Sequence, residues 1–318
     1  MITHATARTR AALIERTRRF FTARGYLEID GPLLTPALIP EAHIEVFATE
    51  LVHPYERSQP RYLIPSPEVY LKRLVADGWG NVFSIGRCFR NAESSSRLHN
   101  PEFTMLEWYT VDADYRDSIA LTTDLLGDLA AVSTVAAGAA TVGAPPVRTT
   151  VRDAFVRYAG CAPDVFDAPG ALRDTAAHHG MRVDDDESDE DLFQRILLSH
   201  VEPNLPTDRP LFLCDYPTLV PTLAQRSPDG AFAERWELYI GGVEIANCYT
   251  EERDQRRLER FTAEQSAAKQ SALVPHAVSD TLARFTDAPP CTGVALGVDR
   301  LIMALLDESD IGGVIFTW

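Results

Sequence analysis

Apolar residues return at helical spacing over residues 5–24: Leu13, Ile14, Phe20 and Phe21 fall at i, i+1, i+7 and i+8, and Gly25 supplies the stop. The next residues, Tyr26-Leu27-Glu28-Ile29-Asp30, alternate as a strand that Gly31-Pro32 ends. Ser66-Pro67-Glu68 opens a second helix through Tyr70, Leu71, Leu74 and Val75, with Ser66 as its N-cap and Pro67 at the first helical position. A third helix is predicted over 115–130. The Ala/Gly-rich segment 130–146, closed by Pro145-Pro146, reads as a surface connection. From Arg148 to Tyr158 the helical pattern restarts, capped by Thr149 or Thr150.

Residues 160–205 are acidic, with Asp184-Asp185-Asp186-Glu187 at their centre, and are expected to form a peripheral helical insertion. Strand patterns resume at Leu211–Cys214, Trp236–Ile240, Val243–Tyr249 and Gly293–Val298. Helices flanking a sheet built from antiparallel hairpins make the class α+β rather than doubly wound, and residues 1–318 are expected to form one catalytic domain.

Composition narrows the function. At 318 residues, with 45% hydrophobic and 24% charged residues, the chain has the make-up of a soluble globular protein with a sizeable core. No apolar run reaches the roughly 20 residues of a membrane helix, and Arg8, Arg10, Arg16, Arg18 and Arg19 exclude a signal peptide. Five cysteines without a CxxC pair point to reduced thiols, and hence to the cytoplasm. A net charge of −16, with Lys72 and Lys269 the only lysines, disfavours a large nucleic-acid footprint.

Three segments carry candidate chemistry. Cys88-Phe89-Arg90-Asn91-Ala92-Glu93 and Leu98-His99-Asn100-Pro101-Glu102-Phe103-Thr104-Met105-Leu106-Glu107-Trp108-Tyr109 form a strand–loop–strand. It interleaves apolar residues with an arginine, a histidine, carboxylates and a phenol, a set suited to gripping a nucleotide beside a cationic small molecule. In Trp236–Ala246, Gly241-Gly242 is a two-residue turn of the kind that needs positive φ twice. That turn pairs Ile240 with Val243, Tyr239 with Glu244 and Glu237 with Ala246, so Glu237 and Glu244 become diagonal neighbours roughly 7–8 Å apart. A divalent cation bridging them would relieve their repulsion; the alternative is a solvated strand face with two unrelated glutamates. Finally, Gly293–Val298 runs into a helix that starts at Asp299-Arg300, where an arginine can reach phosphate.

In order and content these segments resemble the three signature motifs of class II aminoacyl-tRNA synthetases: Gly25 to Pro32, the Phe89-Arg90 strand–loop–strand, and Gly297 to Arg300. The run from Arg97 to Tyr109 is similar to the lysyl branch. So are Ser66-Pro67-Glu68 with Lys72-Arg73-Leu74, and Glu244 to Glu251. The first motif begins near residue 25, so the anticodon-binding barrel that precedes it in tRNA-charging relatives is expected to be absent. The chain is therefore most similar to the stand-alone lysyl paralogues that attach (R)-β-lysine to a lysine of elongation factor P. Ala295, where tRNA-charging relatives usually carry glycine, agrees with this.

The resemblance implies an ATP-dependent, AMP-forming ligase that is a homodimer and charges no tRNA. It makes Arg90 and Arg300 the catalytic arginines, Arg90 bridging the substrate carboxylate and the α-phosphate. It gives ATP to Arg90, Glu93, His99, Asn100, Phe103, Glu244, Ile245, Gly297 and Arg300, and Mg²⁺ to Glu237 and Glu244. Ser66, Pro67, Glu68, Glu107, Tyr109, Asn247 and Glu251 would form the amino-acid pocket, their carboxylates meeting two ammonium groups. The loop from Arg90 to His99 is one residue longer than in relatives, and Ala92 stands where they often have glutamate, so the ATP-contacting carboxylate is assigned to Glu93. Simple alternation puts Asn247 and Glu251 on the face opposite Glu244, so a bulge or twist must intervene. Glu41-Ala42-His43 replaces the glycine pair of the tRNA-charging enzymes, and its role is unread. The competing expectations are a minimal enzyme activating α-lysine and a non-catalytic regulatory paralogue.

Overall fold

A computed structural model describes residues 2–92, 96–133, 135–269 and 272–317. The chain forms α1 (His4–Thr22), β1 (Leu27–Glu28), β2 (Leu34–Thr35), β3 (Ala48–Leu51), β4 (Gln59–Leu63), α2 (Glu68–Ala76), β5 (Val82–Phe89) and β6 (Glu102–Val111). It continues with α3 (Tyr115–Ala130), α4 (Ala136–Val142), β7 (Val147–Thr150), α5 (Val151–Tyr158), α6 (Ala171–His178) and α7 (Asp189–Ile196). The remainder is β8 (Leu211–Tyr216), β9 (Ala233–Ile240), β10 (Val243–Thr250), α8 (Gln255–Lys269), α9 (Thr281–Phe285), β11 (Cys291–Gly297) and α10 (Val298–Leu306).

Eight strands form one sheet in the order β1-β5-β6-β11-β10-β9-β8-β7; β2, β4 and β3 form a small second sheet. All pairs in the large sheet are antiparallel except the two edges, β1 with β5 and β7 with β8. The α+β expectation holds. Alternation gives the large sheet two faces. One carries Leu106, Trp108, Val294, Leu296, Trp236, Leu238 and Phe212, covered by Phe20 and Phe21 of α1, Ile119 and Leu125 of α3, and Leu301, Ile302 and Leu305 of α10. The Phe21 ring lies 5.1 Å from both Phe83 and Trp108 and closes that core.

The other face is polar at its centre and apolar at its ends. At one end Leu213 and Tyr239 pack with Phe155, Leu192, Phe193 and Ile196, so α5 and α7 cover the sheet there. At the other, Tyr62, Ile64, Val69, Leu223, Leu258 and Leu282 join the small sheet to α2, α8 and α9. Between these cores one rung crosses four strands: Glu107 opposite Ala295, Ala295 opposite Asn247, and Asn247 opposite Glu237.

The β9–β10 hairpin corrects one expectation and meets another. Gly241 and Gly242 have φ of 62° and 77°, as their turn requires, and Ile240 pairs with Val243 and Tyr239 with Glu244. Beyond that the register shifts between Glu244 and Ala246, so Glu237 pairs with Asn247 instead of Ala246. The extra residue, Ile245, turns Asn247 to the face that carries Glu237.

Four local expectations change. The segment 130–146 is not merely a connection: α4 lies within it, and buried Gly138 and Val142 pack it against α10. A Cβ on Gly138 would overlap the carbonyl oxygens of Ala304 and Leu305, so small residues here permit close helix contact. Residues 147–150 are a parallel edge strand, and the helix they were expected to begin starts at Val151, capped by the Thr150 hydroxyl. The first-motif strand shortens to Leu27–Glu28. Helix α2 begins at Glu68, with Pro67 as its cap residue; the Ser66 hydroxyl still accepts from the Glu68 amide at 3.0 Å.

All five cysteines are buried and free. Among the described residues, no helix is long and apolar enough to cross a membrane.

Candidate active site

Two cavities open on the polar face. The first, about 340 Å³, is lined by Arg90, His99, Asn100, Phe103, Glu244, Ile245, Asn247, Ala295, Gly297 and Arg300, all drawn from β5–β6, β10 and the β11–α10 junction. The second, about 230 Å³, is lined by Glu68, Glu190, Gln194, Arg235, Asn247 and Tyr249. Glu41, Ile44 and Asn247 belong to both, so the two spaces adjoin.

Helix α10 begins at the floor of the first cavity and fixes Arg300. Its guanidinium donates to the carbonyl oxygens of Leu98 (3.3 Å) and Glu244 (3.0 Å) and lies 2.7 Å from His99 Nε2. Guanidinium can only donate, so Nε2 is the acceptor and the His99 proton sits on Nδ1, 2.9 Å from Ser96 Oγ. Arg300 thus ties the β5–β6 loop to the hairpin. Across the cavity the Arg90 guanidinium stands 5.3 Å from the Phe103 ring centre, stacking being a mode open to arginine and closed to lysine. Asn100 donates to the Glu102 carbonyl at 2.5 Å, which shapes the loop between them. Asp299, buried, takes Arg10 of α1 at 2.6 Å and the Thr104 amide at 2.7 Å and locks α10 to β6.

The hairpin carboxylates are unequal. Glu237 is held by Arg235 at 2.6 Å and by the Tyr239 hydroxyl at 2.8 Å. Glu244 keeps nearly half of its side-chain surface, 3.8 Å from Arg300. Partial enclosure, then the charge of Glu237, push its carboxyl up to about 7, against the pull of Arg300 and Arg235. Among the described residues no group of three or more His, Cys, Asp or Glu could hold a metal by itself. Two hard oxygen ligands whose charges repel nevertheless fit a magnesium ion that also takes phosphate oxygens.

Deeper in the face, Glu107 is buried and accepts from Ser66 Oγ at 2.5 Å and from the Tyr109 hydroxyl at 3.0 Å. Burial, then the charge of Glu68, push it up to about 8 despite both donors. The Lys72 ammonium, 1% exposed, lies 2.5 Å from Glu68 and 2.8 Å from Glu251. Opposite charges raise Lys72 and outweigh its desolvation, whereas burial pushes Glu251 up to about 8. Asn247 Oδ1 accepts from Arg235 Nε at 2.9 Å, leaving its amide NH₂ to donate.

The family described as class II tRNA synthetases (D, K and N) matches residues 2–316. The chain belongs to that family. It is 38% identical to the elongation factor P–(R)-β-lysine ligase of Klebsiella pneumoniae, over 96% of this chain and 92% of the relative. To the ligases of the same name from Vibrio atlanticus and Haemophilus influenzae it is 36% and 35% identical, each over 96% of this chain and 93% and 92% of theirs.

Within this class II synthetase some of the sequence-predicted residues line the cavities and others, Glu237 among them, do not. Arg90, His99, Asn100, Phe103, Glu244, Ile245, Gly297 and Arg300 come together around the first cavity, and Asn247 joins it to the second. Glu68 faces the second, while Ser66, Glu107 and Tyr109 line neither cavity and are joined to one another by the hydrogen bonds to the Glu107 carboxylate. Pro67 serves as the cap residue of α2. Glu251 lines neither cavity; at 1% exposure it lies beneath them, paired with Lys72. Glu93 falls outside the described residues.

Sequence reasoning gave no role to Glu41, Arg235 or Lys72, nor to Glu190 and Gln194, through which α7 reaches the second cavity. For Lys72 a signal existed: it is one of two lysines in the chain and sits i+4 from Glu68 among apolar Val69, Leu71 and Val75. A lone charge on an apolar helix face demands a buried partner.

Proposed function

We propose that the protein is an ATP-dependent ligase that adenylates (R)-β-lysine and transfers the β-lysyl group to a lysine side chain of elongation factor P. What carries this reading is the junction of the two cavities: an arginine-flanked nucleotide cavity adjoins, through Glu41 and Asn247, a cavity bordered by carboxylates. The name borne by relatives 35–38% identical across 96% of the chain supports the same substrates.

In the first step a carboxylate oxygen of β-lysine attacks the α-phosphorus of ATP, the bond to the β-phosphate breaks, and pyrophosphate leaves. A carboxylate is already ionised near neutral pH, so this step needs no general base. Arg90 takes the charge that builds between carboxylate and α-phosphate, and Arg300 binds phosphate from the α10 side. His99 and Asn100 shape the nucleotide cavity, and Phe103 offers its ring to adenine. Glu237 and Glu244 would hold Mg²⁺, which supplies neutralisation of the phosphates. In the second step the neutral acceptor amine attacks the adenylate carbonyl, the mixed-anhydride bond breaks, AMP leaves and the nitrogen loses a proton.

Residues 1–318 act as one catalytic unit in the cytoplasm, with the 160–205 segment an insertion on the sheet. The protein works as a homodimer; exposed Leu27, Leu33, Leu34, Leu51 and Trp79, around the first-motif strand and the small sheet, support an apolar interface there. Sedimentation of the intact protein tests the dimer. The activity is tested by incubating purified protein with ATP, Mg²⁺, (R)-β-lysine and elongation factor P. A mass gain of one β-lysyl group on a single lysine is expected; no gain, with α-lysine preferred in pyrophosphate exchange, would reverse the assignment.

A further inference from the structure

The three carboxylates expected to receive the substrate's ammonium groups are largely committed within the protein. Glu68 and Glu251 share the Lys72 ammonium, Glu68 also takes the Tyr249 hydroxyl at 3.1 Å, and Glu107 takes two hydroxyl donors. Glu41 differs. Its carboxylate accepts no hydrogen bond among the described residues, and it is the one acidic residue that lines both cavities.

The backbone carrying Glu41 is clamped from behind. The Ala42 amide donates to Gln265 Oε1 at 2.7 Å, and the Lys269 ammonium donates to the Ile44 carbonyl. The Glu45 carboxylate accepts the amides of Leu273 (3.2 Å) and Val274 (3.3 Å), and its carbonyl accepts the Asn91 amide at 2.9 Å. A carboxylate carried on backbone pinned on its C-terminal side, yet unmatched by a donor, suits a cation that arrives with a ligand.

The reacting carboxyl group has to lie near Arg90 and the donating amide of Asn247, where the cavities adjoin. An amine one or two carbons from that carboxyl cannot leave the junction, whereas the distal amine can extend beyond it. We propose that Glu41 is the counter-ion for the amine nearest the reacting carboxyl, and so determines the preference for a diamino acid over a monoamine. This rests on the ligase reading and goes beyond it by assigning the proximal amine a residue that sequence reasoning left unread. Enclosure, then the charge of Glu68, raise the Glu41 carboxyl to about 7, as befits a site short of one positive charge.

The test is pyrophosphate exchange by the full-length protein with (R)-β-lysine and with 6-aminohexanoate, which lacks the proximal amine. Glu41→Gln should raise KM for (R)-β-lysine about 10- to 100-fold, the range of one charge-assisted hydrogen bond, with KM for ATP unchanged. For 6-aminohexanoate the variant should match the wild type. If Glu41→Gln does not fold, Glu41→Asp, with the same charge on a shorter arm, should show the same selective loss. Equal losses on both substrates, or no loss on either, overturn the assignment while wild-type activity leaves the ligase reading standing. A folded wild type inactive with both amino acids overturns the ligase reading and this assignment together.

Discussion

The ammonium of Lys72 lies 2.8 Å from Glu251 Oε2, and each side chain is 1% exposed. Lys72 also holds Glu68 at 2.5 Å, so a single cation stabilises two carboxylates, one lining the second cavity and one beneath it. Removing one partner of a buried pair strands the other charge, which costs about 3–5 kcal/mol. Lys72→Met should therefore lower unfolding stability by about that amount in urea denaturation. Adding Glu251→Gln to Lys72→Met should recover part of the loss, and a double variant weaker than the single would argue against this pairing.

Arg90 stands over Phe103 in the nucleotide cavity. A group that meets charge developing in the transition state typically contributes about 10²–10³ in rate. Arg90→Ala should slow pyrophosphate exchange by at least roughly that factor, and Arg90→Lys should not restore it, because ammonium lacks the planar fork. Unaltered exchange in either variant would remove Arg90 from the mechanism.

Two glycines should separate folding from binding. A Cβ at Gly138 would overlap backbone oxygens of α10, so Gly138→Val should destabilise the fold by about 1–3 kcal/mol or more. At Gly297 the nearest protein atom would stand 3.6 Å away, an ordinary contact, while the residue lines the nucleotide cavity. Gly297→Val should thus melt near the wild-type temperature but bind ATP more weakly, measured by calorimetric titration. A large melting shift for Gly297→Val would show that its place is structural.

Buried carboxyls set the pH response. Glu107 and Glu251 are raised to about 8 and Glu41 to about 7, from ordinary values of 4.5, chiefly by enclosure in protein. A folded-state value above the unfolded one means that the neutral form is favoured by folding. That stability is fully present below about pH 4.5 and is lost as pH rises through the range from about 7 to about 8. The ligand-free protein should therefore melt at progressively lower temperature as pH climbs across this window. Glu107→Gln should flatten the slope, and a saturating diamino acid, whose ammonium groups favour the ionised carboxylates, should flatten it too. A slope of the opposite sign in thermal melts would refute the buried carboxyls as its origin.

Much of the site was legible because its residues sit in short local patterns. The Gly241-Gly242 turn and the Gly297–Arg300 junction each specify a local geometry that long-range packing did not alter. Even the bulge at Ile245 was foreseeable, since without it Asn247 faces the wrong way. Segment 130–146 was misread for the opposite reason. Its small residues show no amphipathic period, and only the approach of α10 makes a helix there worthwhile. Residues 147–150 were read into the following helix because a parallel edge strand takes its identity from a partner more than 60 residues away, β8.

The chain's own periodicity and turn chemistry thus determined α1, α2, α3, α5 and α10 and the strands β5, β6 and β8 to β11, all of which depend on residues close together in sequence. Only the tertiary structure decided that Lys72 takes up Glu68 and Glu251, that α7 walls a cavity, and that Glu41 stands where two cavities adjoin. The charge of a side chain is written in the sequence, but whether a neighbour neutralises it depends on distances across the fold, and at 2.5–2.8 Å in a dry interior those distances decide which carboxylates remain for a ligand.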